Sequence, residues 1–364
     1  MIRLFHPRVV LEAEEEVRKV FQSGWIGLGE KTKEFEEKFA QYVGAKHAVA
    51  LNSATSALHL AMIVSGIEEG DEVLTTPMTF ISTNHAILYN KAIPVFVDIE
   101  PNTLNLDLDK AETLITDKTK AIVVVHYGGQ PLNMTKLEDF ASSFNLKVIE
   151  DAAHACGASF NGRKVGSFNL TCFSFHAVKN LAIGDGGAIT TNDSEIYSRL
   201  MSLRWLGINK STYERSLPGE YKWDYNVDEV GFKYHMNDIQ AAIGLAQLNY
   251  LDNFNSYRGS MVLDYKSRLS NVKFLENNSI SRSAHHLCVI KSDKRYKIID
   301  ALSSNSIEYG LHYKPNHLYP MYKNLVRSPL VETERAYGKI LSLPLHLHLS
   351  NRDISLICEV INNA

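Results

Sequence analysis

The four cysteines of this chain, Cys156, Cys172, Cys288 and Cys358, are scattered, and no two stand at Cys-x-x-Cys spacing. That argues against a thiolate metal finger or a disulfide-stapled scaffold. It predicts reduced, mostly buried thiols in a cytoplasmic protein. No run of about 18 apolar residues appears, so no membrane span is expected. The opening Met1-Ile-Arg-Leu-Phe-His-Pro7 lacks secretory-signal architecture. Charge of one sign is missing too: 38 Lys and Arg face 41 Asp and Glu, a net of −3 with no basic half. Nothing there marks a nucleic-acid partner. No Gly-x-Gly-x-x-Gly follows the first strand-like run, which argues against a nicotinamide-dependent oxidoreductase. Histidine is plentiful, yet His285-His286 and His346-x-His348 lack zinc-site spacing, so no metal is expected. Repeats, low-complexity tracts and flexible linkers are also absent.

What is present is an alternating pattern. Strand-like apolar runs fall at 47–51, 72–76, 93–97, 121–125, 147–150, 171–175 and 188–191. Helix-like stretches at 55–65, 80–90, 109–115 and 134–144 follow the first four. This alternation predicts an α/β fold: a large domain whose mainly parallel seven-stranded sheet is flanked by helices. Ligands on such sheets sit at the carboxyl ends of the strands. The segment 207–234, rich in Gly, Tyr, Asn and Lys, breaks the rhythm as a long excursion, a feature more often functional than idle. From 236 to about 268 the apolar spacing becomes helical, and the domain change is expected inside that helix. The division is then a large domain over 1–245 and a smaller C-terminal α+β domain over 246–364. Strands near 285–291 and helices near 293–305, 332–340 and 351–362 fill the second.

Lys179 lies in Ser174-Phe-His-Ala-Val-Lys-Asn180, just before Gly184-Asp-Gly-Gly187. The apolar strand before it and the glycines after it argue for a buried turn, where a lysine amine loses solvation and becomes a better nucleophile. Asp151 ends the run Lys147-Val-Ile-Glu-Asp151. Asn52-Ser-Ala-Thr-Ser56 follows a strand and opens a helix, where free N–H groups and the helix dipole welcome an anion. A nucleophilic lysine, a carboxylate and an anion-binding turn together suit pyridoxal phosphate: the lysine takes the aldehyde, the carboxylate keeps the ring nitrogen protonated, and the turn binds phosphate. Ser174 could reach the phosphate, His154 the phenolic oxygen, and Phe80 the ring face. Each signal alone is ambiguous. A capping serine, an acidic strand end, a packed histidine and a core phenylalanine are the plain alternatives.

The order of these pieces resembles the DegT/StrS type of sugar aminotransferase, within the aspartate-aminotransferase-like superfamily. The resemblance runs nearly end to end. It includes Gly24-Trp-Ile-Gly-Leu-Gly-Glu30, the 52–60 turn, Thr76-Pro-Met-Thr-Phe80, Phe96-Val-Asp98, His126-Tyr-Gly-Gly-Gln-Pro131 and Glu150-Asp-Ala-Ala-His154. It continues through Phe173-Ser-Phe-His-Ala-Val-Lys179, Tyr234-His-Met-Asn-Asp238, His312-Tyr-Lys-Pro315 and Leu341-Ser-Leu-Pro344. It implies fold type I of the PLP-transferases and a homodimer with shared active sites. It also implies transfer of an amino group from glutamate to a keto carbon, C4 over C3, of a nucleotide-linked keto-deoxysugar, by a ping-pong course through aldimine and ketimine forms.

The same resemblance makes Lys179 the Schiff-base lysine and Asp151 the partner of the ring nitrogen. His154 goes to the phenolic oxygen, Phe80 to the ring face, and Ala54, Thr55 and Ser174 to the phosphate. Trp25, Ile26, Arg204, Tyr313 and His317 become candidate substrate contacts through their motif positions in loops. Many relatives read Gly-Tyr-Asn-Tyr-Arg-Met where this chain reads Gly231-Phe-Lys-Tyr-His-Met236, so Lys233 is expected to replace an asparagine that approaches the partner's cofactor. Some relatives that remove a sugar hydroxyl instead of adding an amine have histidine at the Schiff-base position. Lysine at 179 favours transamination over PLP-dependent dehydration, and over a non-enzymatic regulatory role.

Overall fold

The computed structural model describes residues 1–210, 213, 215, 225–277 and 279–364. All seven strand-like runs form one sheet. In chain order its strands are β1 (His47–Leu51), β2 (Glu72–Thr75), β3 (Ile93–Phe96), β4 (Thr119–Val125) and β5 (Lys147–Asp151). After two short strands, β6 (Ser159–Phe160) and β7 (Arg163–Lys164), come β8 (Leu170–Ser174) and β9 (Gly187–Thr191). The sheet order is β1-β9-β8-β5-β4-β2-β3. Every pairing from β8 to β3 is parallel, while β9 runs antiparallel to both β1 and β8. The fold is therefore the mainly parallel α/β sheet expected.

Period-two alternation assigns the two faces. Ala121 and Val123 of β4 enter one apolar cluster with Leu58, Leu60 and Met62, while Ile122 and Val124 enter another with Leu137 and Phe140. Helices cover both faces because each strand buries apolar side chains in both directions. The first cluster is built on α3 (Ala54–Val64), whose eleven residues include eight buried ones. The N-terminal helices α1 (Glu12–Ser23) and α2 (Glu30–Val43) carry single apolar stripes, and Phe35 and Phe39 of α2 are fully buried against Phe173 and Phe175.

The helical stretch after 236 is two helices, Asp238–Leu248 and Leu251–Arg268, with a break at Asn249-Tyr250. The expectation of one helix to 268 is corrected there. The first helix packs on α1 and α2, whereas Met261, Val262 and Tyr265 of the second enter a separate core with Ile290, Leu302, Leu343 and Ile357. One straight rod could not serve both. The C-terminal helix expected near 332–340 ends at Tyr337, and Ile340–Leu343 is instead a strand. It pairs with Cys288–Lys291, which pairs in turn with Lys273–Phe274. This four-residue apolar run was too short to separate from a helix end by periodicity. All four cysteines are free and buried. Among the described residues no helix is long and apolar enough to cross a membrane, and no group of three or more His, Cys, Asp or Glu could hold a metal ion.

Candidate active site

The carboxyl ends of β1, β2, β5 and β8 open on one cavity of about 390 Å³. Its walls bring together seven of the expected residues: Ala54, Thr55, Phe80, Asp151, His154, Ser174 and Lys179. Tyr313 joins them from the C-terminal half. The first seven share one edge of the sheet because each follows or ends a strand, or opens the helix beyond it.

Ser53 is the N-cap of α3, and its hydroxyl oxygen accepts the Ser56 N–H at 3.1 Å. The first turn of α3 thus leaves N–H groups pointing into the cavity edge. Packed against this turn is Gly187, the first residue of β9, paired with Leu51. A Cβ on Gly187 would lie within 2.6 Å of the Ala54 nitrogen and closer still to the Ser53 carbonyl group. Glycine is required for β9 to press against this turn, and that packing fixes the backbone of the α3 N-terminus, where free N–H groups suit a small anion.

Lys179 is half-buried in the turn between β8 and β9, its N–H bonded to the His176 carbonyl. Cavity walls desolvate its amine and lower its pKa to about 8, while the Asp151 carboxylate opposes the fall. Asp151 is buried at the end of β5. Its Oδ2 accepts from the Thr83 hydroxyl at 2.7 Å and its Oδ1 from the Ala153 N–H at 3.1 Å. Burial pushes its pKa up, and these two hydrogen bonds and Lys179 pull the other way. Phe80, at the start of the helix Ile81–Tyr89, is 56% exposed despite its size, which leaves its face open to the cavity. Its ring centroid lies 6.0 Å from that of Tyr313.

His154 is fully engaged by the chain. Nδ1 accepts the Gly128 N–H at 3.3 Å, and Nε2 is 2.9 Å from the Tyr313 hydroxyl. Burial, with Lys179 and His312 nearby, holds it well below the ordinary imidazole range, so it is neutral. Among the cavity residues given no role by the sequence are Phe5, His286 and His312. Phe5 arrives from the N-terminus and stacks on His286 at 5.7 Å and 12°. His286 lies 4.4 Å from His154, and His312 hydrogen-bonds Ser342. The pair His285-His286 had no spacing to distinguish a cavity residue from a packed one, and only tertiary contact does.

The remaining candidates lie outside this cavity. Arg204 is buried in an ion pair with Glu36 and donates to the Ala50 carbonyl at 3.0 Å, so the fold holds its guanidinium. His317 is buried and bonds Glu334 at 3.2 Å. The Trp25 indole donates to the Leu28 carbonyl at 2.9 Å, and Ile26 is exposed. Lys233 is exposed, its amine 3.3 Å from the Trp205 ring centre. It stands on the segment that bonds back to the phosphate turn, where Asn52 N–H reaches the Tyr234 carbonyl at 2.7 Å. Of the expected 207–234 excursion, residues 211–212, 214 and 216–224 lie outside the described residues.

A partly neutral lysine, a hydrogen-bonded buried carboxylate, an open aromatic face and a backbone anion cradle form a donor set that fits pyridoxal phosphate. Fold and cavity together define a pyridoxal-phosphate enzyme. The chain belongs to the DegT/DnrJ/EryC1/StrS aminotransferase family, whose model matches residues 8–362. It is 38% identical over 371 residues to the spore coat polysaccharide biosynthesis protein SpsC of Bacillus subtilis (strain 168), covering 98% of this chain and 95% of that one. It is 35% identical over 368 residues to a UDP-4-amino-4-deoxy-L-arabinose–oxoglutarate aminotransferase of Shewanella sediminis (strain HAW-EB3), covering 95% of each. The PLP form of Spr1654 from Streptococcus pneumoniae superposes with a TM-score of 0.91 at 30% identity, over 99% of this chain and 97% of that one. The protein is a PLP-dependent sugar aminotransferase.

Proposed function

We propose that the protein moves the amino group of glutamate to C4 of a nucleotide-linked keto-deoxysugar, in two half-reactions that share one site. The observation that carries this reading is Lys179, with its pKa lowered to about 8, on the same cavity wall as Asp151. The Shewanella relative, whose name specifies a 4-amino sugar carried by UDP and an oxoglutarate partner, supports the choice of carbon and donor.

Pyridoxal phosphate supplies an electron-accepting ring that stabilises negative charge on the substrate carbon. Asp151 would hold a proton at the ring nitrogen, with Thr83 and the Ala153 N–H holding Asp151 in place. Ala54 and Thr55, at the start of α3, and Ser174, at the end of β8, would hold the phosphate. Phe80 would face the ring. Lys179 would anchor the cofactor, and its freed amine would take the α-proton of glutamate and return a proton, then perform the same transfer in reverse for the sugar. Two products released in turn imply ping-pong kinetics.

The reading includes a homodimer in which Lys233 meets the partner's cofactor phosphate. Apolar side chains within the excursion support it: Val230 is 88% exposed and Val227 57%. The test is to incubate the protein with glutamate and UDP- and dTDP-linked 4-keto sugars. Release of 2-oxoglutarate with a 4-amino sugar is expected. Loss of water from the sugar, with no 2-oxoglutarate, would replace this reading with dehydration.

A further inference from the structure

We propose that Tyr313 is the hydrogen-bond donor to the carbonyl oxygen of the keto sugar, and that His154 orients it for that task. The proposal rests on the sugar-amination reading above and assigns a chemical task within it.

The argument follows the hydrogens. The Gly128 N–H points at Nδ1 of His154, so Nδ1 carries a lone pair. A neutral imidazole then carries its one hydrogen on Nε2. That hydrogen goes to the Tyr313 oxygen, 2.9 Å away. An oxygen that accepts still has its own hydrogen to give. Among the described residues His154 is the only hydrogen-bond partner of the Tyr313 hydroxyl, and no acceptor takes that hydrogen. Burial and the Asp151 charge push the phenol up, so it stays protonated and serves as a donor.

The rest of the wall narrows the choice. Thr79 shares its hydroxyl with Thr83 at 2.8 Å, and Ser53 is engaged by Ser56 at the phosphate turn. His286 gives its Nδ1 to Asn180 at 3.0 Å. Tyr313 therefore holds an uncommitted hydrogen on the side of the cavity where Phe80 and His154 stand, and unlike the Ser82 hydroxyl on the same wall it is oriented by a buried partner, His154. The backbone that carries it is fixed, because the Tyr127 hydroxyl donates to the His312 carbonyl. When an amine attacks the sugar carbonyl, the C=O bond breaks and charge collects on oxygen, which finally departs as water. A preorganised donor in a water-poor cavity stabilises that oxygen far better than bulk solvent does.

The test uses wild-type protein and Tyr313→Phe, each loaded with pyridoxal phosphate and converted with glutamate. Each is then mixed with UDP- and dTDP-linked 4-keto sugars in a single turnover. We expect the Tyr313→Phe rate to fall about 100-fold, the usual loss for one such donor. The sugar concentration for half-maximal rate, the absorption spectrum of the loaded protein and the melting temperature should hold. His154→Leu should reproduce the slow turnover, and His154→Gln, which keeps an N–H, should recover much of it. A Tyr313→Phe rate within about twofold of wild type overturns the proposal. So does a shifted absorption maximum, which would put the hydrogen on the cofactor instead. Wild-type protein inert toward every keto sugar would sink the sugar reading and this proposal with it, and that result is separate from any effect of Tyr313.

Discussion

Thr83 donates its hydroxyl hydrogen to Asp151 Oδ2 at 2.7 Å, and Thr79 stands 2.8 Å behind Thr83. The two threonines form a short buried line leading to the carboxylate proposed to face the ring nitrogen. Burial alone would favour a neutral Asp151, which could not hold a pyridinium proton. Thr83→Val keeps the shape and removes the donor. A hydrogen bond to a charged group contributes about 1.5–3 kcal/mol, so cofactor affinity should drop roughly 10- to 150-fold. Titration of the apoprotein by absorbance measures it. Unchanged affinity would mean that Asp151 needs no help from Thr83.

In its proposed role, Lys179 would make the capture of pyridoxal phosphate depend on pH. Only the neutral amine attacks, and its pKa is lowered from the ordinary value to about 8. The neutral fraction therefore rises as pH climbs through 8 and saturates above it. Stopped-flow mixing of apoprotein with cofactor should give a capture rate that climbs about tenfold per unit below pH 8 and flattens by pH 9. A rate still climbing at pH 10 would describe an ordinary solvated lysine.

Gly187→Ala should damage the anion cradle specifically. The added methyl would lie within 2.6 Å of Ala54 N, a separation that backbone atoms must shift to relieve. Overpacking of this kind typically costs about 1–3 kcal/mol. We expect a lower melting temperature, and a larger loss of phosphate-dependent affinity for pyridoxal phosphate than for pyridoxal. Equal losses for both ligands would show that the strain does not act at the phosphate.

Arg204→Leu tests a residue whose charge the fold consumes. The substitution leaves Glu36, buried beside the Ala50 N–H at 2.7 Å, without its cation. Removing one partner of a buried pair costs about 3–5 kcal/mol. Chemical denaturation should show that loss. The double variant Arg204→Leu with Glu36→Leu should regain much of it, because the stranded charge is gone.

The parts of the site that end strands were legible in the chain. Asp151, Ser174, Thr55 and Lys179 follow apolar runs whose period is local, and the sheet then gathers such ends on one edge. Arg204 and His317 sit in equally suggestive loop positions, but each is claimed by a carboxylate, Glu36 or Glu334. Arg204 and its partner stand 168 residues apart, beyond the reach of any local pattern. Phe5 and His286 were hidden for the same reason, and His312 stood in a quoted motif without its cavity role. The break at Asn249-Tyr250 was invisible because both flanking helices keep helical spacing, and only the change of packing partner bends the chain.

The antiparallel course of β9 has a consequence for biosynthesis. The turn at Ser53-Ala54 is made early, but the residue packed against it, Gly187, emerges from the ribosome much later and must insert between β1 and β8. A nascent chain shorter than that has the anion-binding turn with one side open, and no Lys179 turn yet closed over it. Cofactor retention therefore reports that β9 has been threaded home between β1 and β8. Stalled chains of increasing length should hold pyridoxal phosphate only once β9 has cleared the exit tunnel.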